Sequence, residues 1–132
     1  MDFNALHQQH QPLLLANVWD ASSAQAAQQA GYQALGSSSA AIAAMLGYED
    51  GEESFGELFY VVSRIKTVSE LPLSVDLEAG YGATTSHIID NIRRLAHLGV
   101  SGINLEDSHV VDGTRRLDDA ERFAVKLQEI TR

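Results

Sequence analysis

Two stretches of the sequence decide the fold, SVDLEAGYG at 74–82 and GINLEDS at 102–108. Each is an apolar segment of strand type whose end carries carboxylates, Asp76 and Glu78 in the first and Glu106 and Asp107 in the second. Residues i and i+2 of a strand point to the same face, so the first two side chains can converge, and a parallel neighbouring strand can bring the third to the same edge. Clustered carboxylates repel each other unless a cation joins them, and hard oxygen ligands suit Mg²⁺ or Mn²⁺.

Around these two stretches, the sequence predicts strands that alternate with helices. A short polar arm or helix at 1–11 comes first, and an apolar run at 13–18 has the pattern of a strand buried on both faces. Asp20 is expected to cap the helix that follows it. Segment 40–46 fits either a short helix or a loop, and the acidic segment at 47–57 predicts a loop. The predicted strands are 13–18, 33–37, 73–77 and 100–105.

The later helices carry their own boundary signals. Apolar residues at helical spacing predict a helix over 55–69, and Thr84 or Thr85 is expected to cap the next helix, which Gly99 ends. Asp118 with Glu121 three residues later predicts a capping box for a last helix. The order β-α-β-α-β-α-β-α implies a parallel sheet with right-handed crossovers.

The positions of the polar residues favour a (β/α)₈ barrel. They follow the carboxyl ends of successive strands, where such a barrel places its active site, and neither a GxGxxG nor a Walker sequence is present. A whole barrel needs about 250 residues, whereas 132 residues supply four β/α units. We therefore expect residues 1–132 to form a single, incomplete domain of α/β class, the first half of a TIM barrel. A closed four-unit sheet, a flavodoxin-like domain and a swapped dimer remain alternatives.

Composition limits the partners. Nine Lys and Arg against eighteen Asp and Glu give a net charge of −9, which argues against nucleic-acid or anionic-membrane binding. The chain has no Cys, so disulfides and thiolate chemistry are excluded. It also has no run of about 18 apolar residues that would span a membrane. The N-terminal segment lacks the basic start and apolar core of a signal peptide, so a cytoplasmic protein is expected. The two unpaired sheet edges of a half-barrel predict a homo-oligomer.

Four motifs, in this order and spacing, resemble the phosphoenolpyruvate mutase/isocitrate lyase superfamily: ANVWDASSA, GSSSAAIAAMLGYEDGE, SVDLEAGYG and GINLEDS. The resemblance covers residues 13–132 and corresponds to about the first half of a usual member. It implies a Mg²⁺-dependent enzyme that cleaves or forms C–C or P–C bonds next to a carboxylate, through an enolate. The expected substrate is a small α-keto or hydroxy carboxylic acid.

The resemblance also implies roles for individual residues. The metal sphere would consist of four carboxylates, some of them acting through water: Asp50, Asp76, Glu78 and Glu106. The substrate would bind at the small-residue turn after the second strand and at the glycine-rich loop: Ser37, Ser38, Ser39, Tyr81 and Gly82. Asp20 is interpreted as structural.

One segment departs from the superfamily pattern. Isocitrate and methylisocitrate lyases carry a K-[KR]-C-G-H loop after the E-D element, whereas this chain has SHVVDGTRRL at 108–117, so those two activities are not expected. The mutase gating loop is not matched either. His109 is the only His in a candidate active-site loop, and the catalytic residue is otherwise unknown. Two non-enzymatic alternatives remain, a half-barrel assembly module or truncated inactive fragment that retains the carboxylates, and a flavodoxin-like regulatory domain with an acidic metal pocket.

Overall fold

The computed structural model describes residues 2–132, which form a four-stranded parallel sheet and a separate β-hairpin. The strands are β1 Leu15–Val18, β2 Ala34–Ser37, β3 Leu73–Asp76, β4 Gly102–Asn104, β5 Ser108–Val111 and β6 Thr114–Leu117. The sheet has the order β1-β2-β3-β4, so every strand lies beside its neighbour in sequence. This order confirms the predicted parallel β/α units. It excludes the flavodoxin-like alternative, whose strand order is not sequential. The closed four-unit sheet is wrong too, because β1 pairs only with β2, and β4 only with β3.

Six helices connect or flank the strands in the described part of the chain. Right-handed crossovers between sequential strands place the connecting helices on one face of the sheet. None of the helices formed by residues 2–132 has the length and apolar content needed to cross a membrane. The helices are α1 Phe3–His7, α2 Ala21–Gln29, α3 Ser39–Leu46, α4 Phe55–Val68, α5 Thr85–His97 and α6 Ala120–Ile130.

Helix caps follow the sequence closely, with one exception. The Asp20 carboxylate accepts a hydrogen bond from Ser23 N at 2.7 Å in a capping box, and Thr84 caps α5. The last helix is capped by Asp119, whose carboxylate accepts from the backbone of its third residue. The prediction of Asp118 was wrong because the Asp118 side chain is engaged elsewhere, by the ring of His109.

The core lies between the sheet and its helices. Leu73, Val75 and Leu77 are fully buried in it, whereas Ser74 and Asp76 alternate with them and project to the opposite face. The apolar side chains of α4 and α5 complete the core, chiefly Leu58, Val62, Ile65 and Leu95. In this way the sheet keeps polar side chains on the face that does not contact the helices.

Two predictions about strands were wrong. The first strand is not buried on both faces, since Leu14 is 72% and Leu15 39% exposed, because β1 is an edge strand with one uncovered face. Segment 108–117 forms the β5–β6 hairpin between β4 and the last helix, where no strand was expected. Its turn is Asp112-Gly113, both with positive φ (50° and 77°), as a tight two-residue hairpin turn requires.

Candidate active site

The serine turn after β2 is tied to the end of β3. The Ser37 hydroxyl accepts a hydrogen bond from Asp76 N at 3.0 Å, and the Ser39 hydroxyl donates to the Asp76 carboxylate at 2.6 Å. Ser38 caps α3 by accepting from Ala41 N. All three hydroxyls are thus engaged within the protein, and two of them orient Asp76. Their role as ligands of a substrate carboxylate stays a prediction.

Glu78 reaches the site through a turn. The strand ends at Asp76, and Glu78 has a left-handed backbone, with φ of 52°. Its backbone N–H donates to the Asp76 carboxylate at 3.1 Å, which stabilises the turn. The expectation that both side chains share a strand face was therefore wrong for Glu78. Its side chain is instead placed by the residues that follow it.

The Gly80–Gly82 loop packs closely on α5. A Cβ at Gly80, where φ is 112°, would lie 2.7 Å from the Ile88 side chain, and a Cβ at Gly82 would lie 2.9 Å from the His87 ring. The buried Asn91 amide donates to the carbonyls of Gly80 and Tyr81, at 2.9 and 3.3 Å. These contacts hold Tyr81 with a φ of 59°. Gly82 therefore shapes the loop against α5, and its role in substrate binding stays a prediction.

Tyr81 joins two acidic side chains. Its hydroxyl lies 2.8 Å from the Glu53 carboxylate, within hydrogen-bond distance, and it also contacts the Glu78 carboxylate. Burial, followed by repulsion from Glu53 and Asp50, raises the pKa of Glu78 to about 7, although the Tyr81 hydrogen bond opposes this. Burial and the two carboxylates also raise the pKa of Tyr81. The free energy of this cluster would therefore be lowered by a nearby positive charge.

A cavity of about 200 Å³ opens beside this cluster. The backbone N–H of Glu106 donates to Glu78 O at 2.6 Å, so the two glutamates are held side by side at the wall. Arg115, on β6, donates to the Glu106 carboxylate at 3.1 Å and to the Ser108 hydroxyl at 3.0 Å. The lining residues are Gly51, Glu78, Ala79, Tyr81, Glu106, Ser108, His109, Val110 and Arg115.

His109 is half-exposed at the mouth of this cavity. Its Nδ1 lies 2.5 Å from the Asp118 carboxylate, which can only accept, so Nδ1 carries the hydrogen and Nε2 is left available. A histidine oriented by a carboxylate in this way can carry a proton to or from a ligand. The structure thus places the predicted residue at the cavity, and the hairpin that carries it was not predicted.

The four predicted metal ligands are not brought together equally. Glu78 and Glu106 line the cavity, and Asp76 contacts the backbone of Glu78. Asp50 is exposed, and its charge raises the pKa of Glu78. Within residues 2–132, no three acidic or histidine side chains converge as a ready metal cage. Mg²⁺ is usually held by one or two carboxylates and several waters, and Glu78 and Glu106 each keep one oxygen without a protein hydrogen bond. The residues therefore fit a hydrated Mg²⁺ and do not fit an all-protein cage.

Two features of the site were missed from sequence. Glu53 is 3% exposed and contacts Tyr81, yet its sequence context, EDGEES, gives no signal that separates it from its exposed acidic neighbours. The hairpin that brings Arg115 to Glu106 did have a signal. The Asp112-Gly113 pair between β-branched residues is a strong short-range sign of a hairpin.

Comparison with known proteins identifies the family that the chain resembles. The family description "Phosphoenolpyruvate phosphomutase" matches residues 3–132. The 2-methylisocitrate lyase of Escherichia coli K12 is 32% identical over 107 residues, which are 80% of this chain and 36% of that protein. The chain spans less than half the length of the curated relatives it matches.

Solved structures extend the likeness to the fold. A protein of Burkholderia cenocepacia J2315 described as "a putative phosphonomutase" is 38% identical with a TM-score of 0.87, over 95% of this chain and 50% of that one. Phosphonopyruvate hydrolase in complex with oxalate and Mg²⁺ is 23% identical with a TM-score of 0.82, over 91% of this chain and 43% of that one, and shows the fold alone. The chain therefore belongs to the phosphoenolpyruvate mutase/isocitrate lyase superfamily and has the fold of about half of its barrel.

Proposed function

We propose that this chain carries the Mg²⁺ site of a lyase or phosphonomutase-type enzyme that cleaves or forms a C–C or P–C bond in a small α-keto or hydroxy carboxylic acid. The observation that carries the proposal is the cavity at the carboxyl ends of β3 and β4. There Glu78 and Glu106 lie side by side, each with one carboxylate oxygen that has no protein partner. The family match supports the reaction class, and the wall of the cavity supports the cation.

The residues of the site have separable tasks in this proposal. Asp76, held by Ser39, and the free oxygens of Glu78 and Glu106 would hold a hydrated Mg²⁺. When bound, the cation would polarise the substrate carbonyl and offset the negative charge of an enolate. Arg115 supplies a positive charge at the same wall, where a substrate carboxylate would otherwise meet only acidic side chains.

Proton transfer is assigned to the hairpin. His109 lines the cavity, and its ring is oriented by the contact of Nδ1 with Asp118. The SHVVDGTRRL segment that replaces the Cys-bearing loop of the isocitrate lyases forms this hairpin, so a histidine stands in the region where those enzymes carry a thiol. We infer a reaction that does not depend on a thiol. The exposed edge of β1 also supports an assembly of more than one copy, with homo-oligomer formation as the expectation.

Thermal-shift titration with Mg²⁺, with and without oxalate, tests the proposal. Oxalate resembles the planar enolate of a small keto acid, and phosphonopyruvate hydrolase has been solved with oxalate and Mg²⁺ together. We expect Mg²⁺ to raise the melting temperature, oxalate to enlarge the rise, and Asp76→Asn to abolish it. Asp90→Asn is the matched control, because Asp90 is an exposed acid on α5 that forms an ion pair with Arg93. If wild-type protein and Asp76→Asn respond alike, the chain does not form this site, and the non-catalytic assembly module is the better account.

A further inference from the structure

Glu53 is the only buried charged side chain among residues 2–132, and the proposed function does not use it. One of its carboxylate oxygens, Oε1, accepts from the Tyr81 hydroxyl at 2.8 Å, and the other, Oε2, is buried without any hydrogen-bond partner. An unsatisfied buried carboxylate oxygen destabilises a protein, because water would have solvated it. Such a group in a folded protein calls for an explanation other than stability.

The surroundings of Glu53 are rigid. It directly precedes Ser54, which caps α4 in a reciprocal capping box with Glu57. On the other side, the Tyr81 ring packs against Phe55, with ring centroids 6.1 Å apart, and Asn91 holds the Tyr81 carbonyl. Glu53 is thus held by the start of α4, and the Tyr81 ring and backbone are held by Phe55 and Asn91. Side chains that are fixed in this way can fix the orientation of a polar group that lies between them. That group is the Tyr81 hydroxyl.

The Tyr81 hydroxyl contacts two carboxylates, Glu53 on one side and Glu78 on the other. The contact to Glu78 uses Oε2, and Glu78 lines the cavity. Glu53 also acts on Glu78 directly, because its charge and a side-chain hydrogen bond both raise the pKa of Glu78. Without Glu53, the phenol would have only Glu78 as a protein partner, and both side chains could turn away together. The chain of contacts therefore runs from the loop before α4 to the cavity.

We propose that Glu53 is a positioning residue: it anchors the Tyr81 hydroxyl, and through it keeps Glu78 turned so that one oxygen faces the cavity. Glu53 itself touches no ligand in this arrangement. Its effect on Mg²⁺ affinity rests on the proposed function, whereas its effect on the orientation of Glu78 does not. Partners of this kind, which hold a ligand side chain, typically change metal affinity by about 10–100-fold when removed.

Two substitutions separate this role from others. Glu53→Gln and Glu53→Leu both remove the negative charge, but only glutamine keeps an acceptor for the Tyr81 hydroxyl. Urea unfolding of both variants first establishes that they fold. The metal-free readout is the side-chain carboxyl ¹³C signal of Glu78, assigned by its loss in Glu78→Gln. We expect Glu53→Leu to shift this signal much further than Glu53→Gln does.

Magnesium affinity supplies the second readout, measured by calorimetry with oxalate present. We expect Glu53→Leu to weaken binding about 10-fold or more and Glu53→Gln to weaken it less than about 3-fold. In a Tyr81→Phe background, Glu53→Leu should weaken binding no more than Glu53→Gln does, because the linking hydroxyl is already gone and only the loss of charge, common to both variants, remains.

Each contrary outcome overturns the proposal in a recognisable way. Equal losses of affinity in both variants would make Glu53 a ligand or a charge effect, and an unshifted Glu78 signal in Glu53→Leu would leave it no positioning role. If wild-type protein binds no Mg²⁺, the proposed function fails, and the Glu78 signal alone then decides the role of Glu53.

Discussion

Replacing Gly80 with alanine tests whether the loop that carries Glu78 and Tyr81 is held by its packing on α5. The backbone strain of a non-glycine residue at positive φ costs about 1–2 kcal/mol. The reduced freedom of the unfolded chain returns about 0.4–1 kcal/mol. The new Cβ would also lie within 2.8 Å of three atoms of Ile88, whose side chain is 2% exposed. Overpacking of this kind adds about 1–3 kcal/mol, so we expect a total loss of about 1–5 kcal/mol.

Gly113→Ala is the matched control, because Gly113 also has positive φ, 77°, but nothing lies within 4 Å of an added Cβ. It should cost about 1 kcal/mol or less, from backbone strain alone. Urea unfolding followed by circular dichroism at 25 °C measures both losses from the midpoint and slope. If Gly80→Ala is no more destabilising than Gly113→Ala, the loop does not pack on Ile88 as described, and the placement of Glu78 that depends on it is wrong.

Three further predictions concern the charges of the site. Ser39→Ala should destabilise the protein by about 1–3 kcal/mol in urea unfolding, because it leaves an Asp76 oxygen without its donor; an unchanged midpoint would contradict this. Arg115→Ala should weaken oxalate binding in calorimetry while Arg116→Ala does not, and equal effects would mean that the contact to Glu106 is irrelevant to the ligand. Because the pKa of Glu78 is raised to about 7 in the folded protein, the folded state binds more protons than the unfolded state between about pH 4.5 and 7. Metal-free protein should therefore lose stability as pH rises through that window, and flat melting temperatures would refute it.

The fold was largely predictable because its signals are local. Apolar runs separated by capped helices set the four parallel strands, and residues such as Asp20 and Thr84 stand where the structure has its caps. The burial of β1 was mispredicted because an apolar run cannot show whether a strand will have neighbours on both faces. The hairpin at 108–117 was not predicted although its Asp-Gly turn is a hairpin signal, because its two strands are only four residues long and largely exposed, so they lack an apolar run.

The site was less predictable because it depends on contacts distant in sequence. Glu53 and Tyr81 are 28 residues apart, and Ser39 and Asp76 are 37 apart. The strand-alternation rule named Asp76 and Glu78 together, but the left-handed turn at Glu78 belongs to the three-dimensional packing of the loop on α5. Residue types at strand ends therefore located the site, and the positions of individual side chains required the structure.

Calorimetric titration of Mg²⁺ into the protein, with oxalate present, tests the central claim most directly. We expect one bound ion per chain. Binding should be lost when Glu78 and Glu106 are both changed to glutamine. The same double change at Glu49 and Glu52, two exposed acids of the loop before α4, should leave binding intact. No heat of binding in the wild type, or equal binding in both double variants, would contradict it.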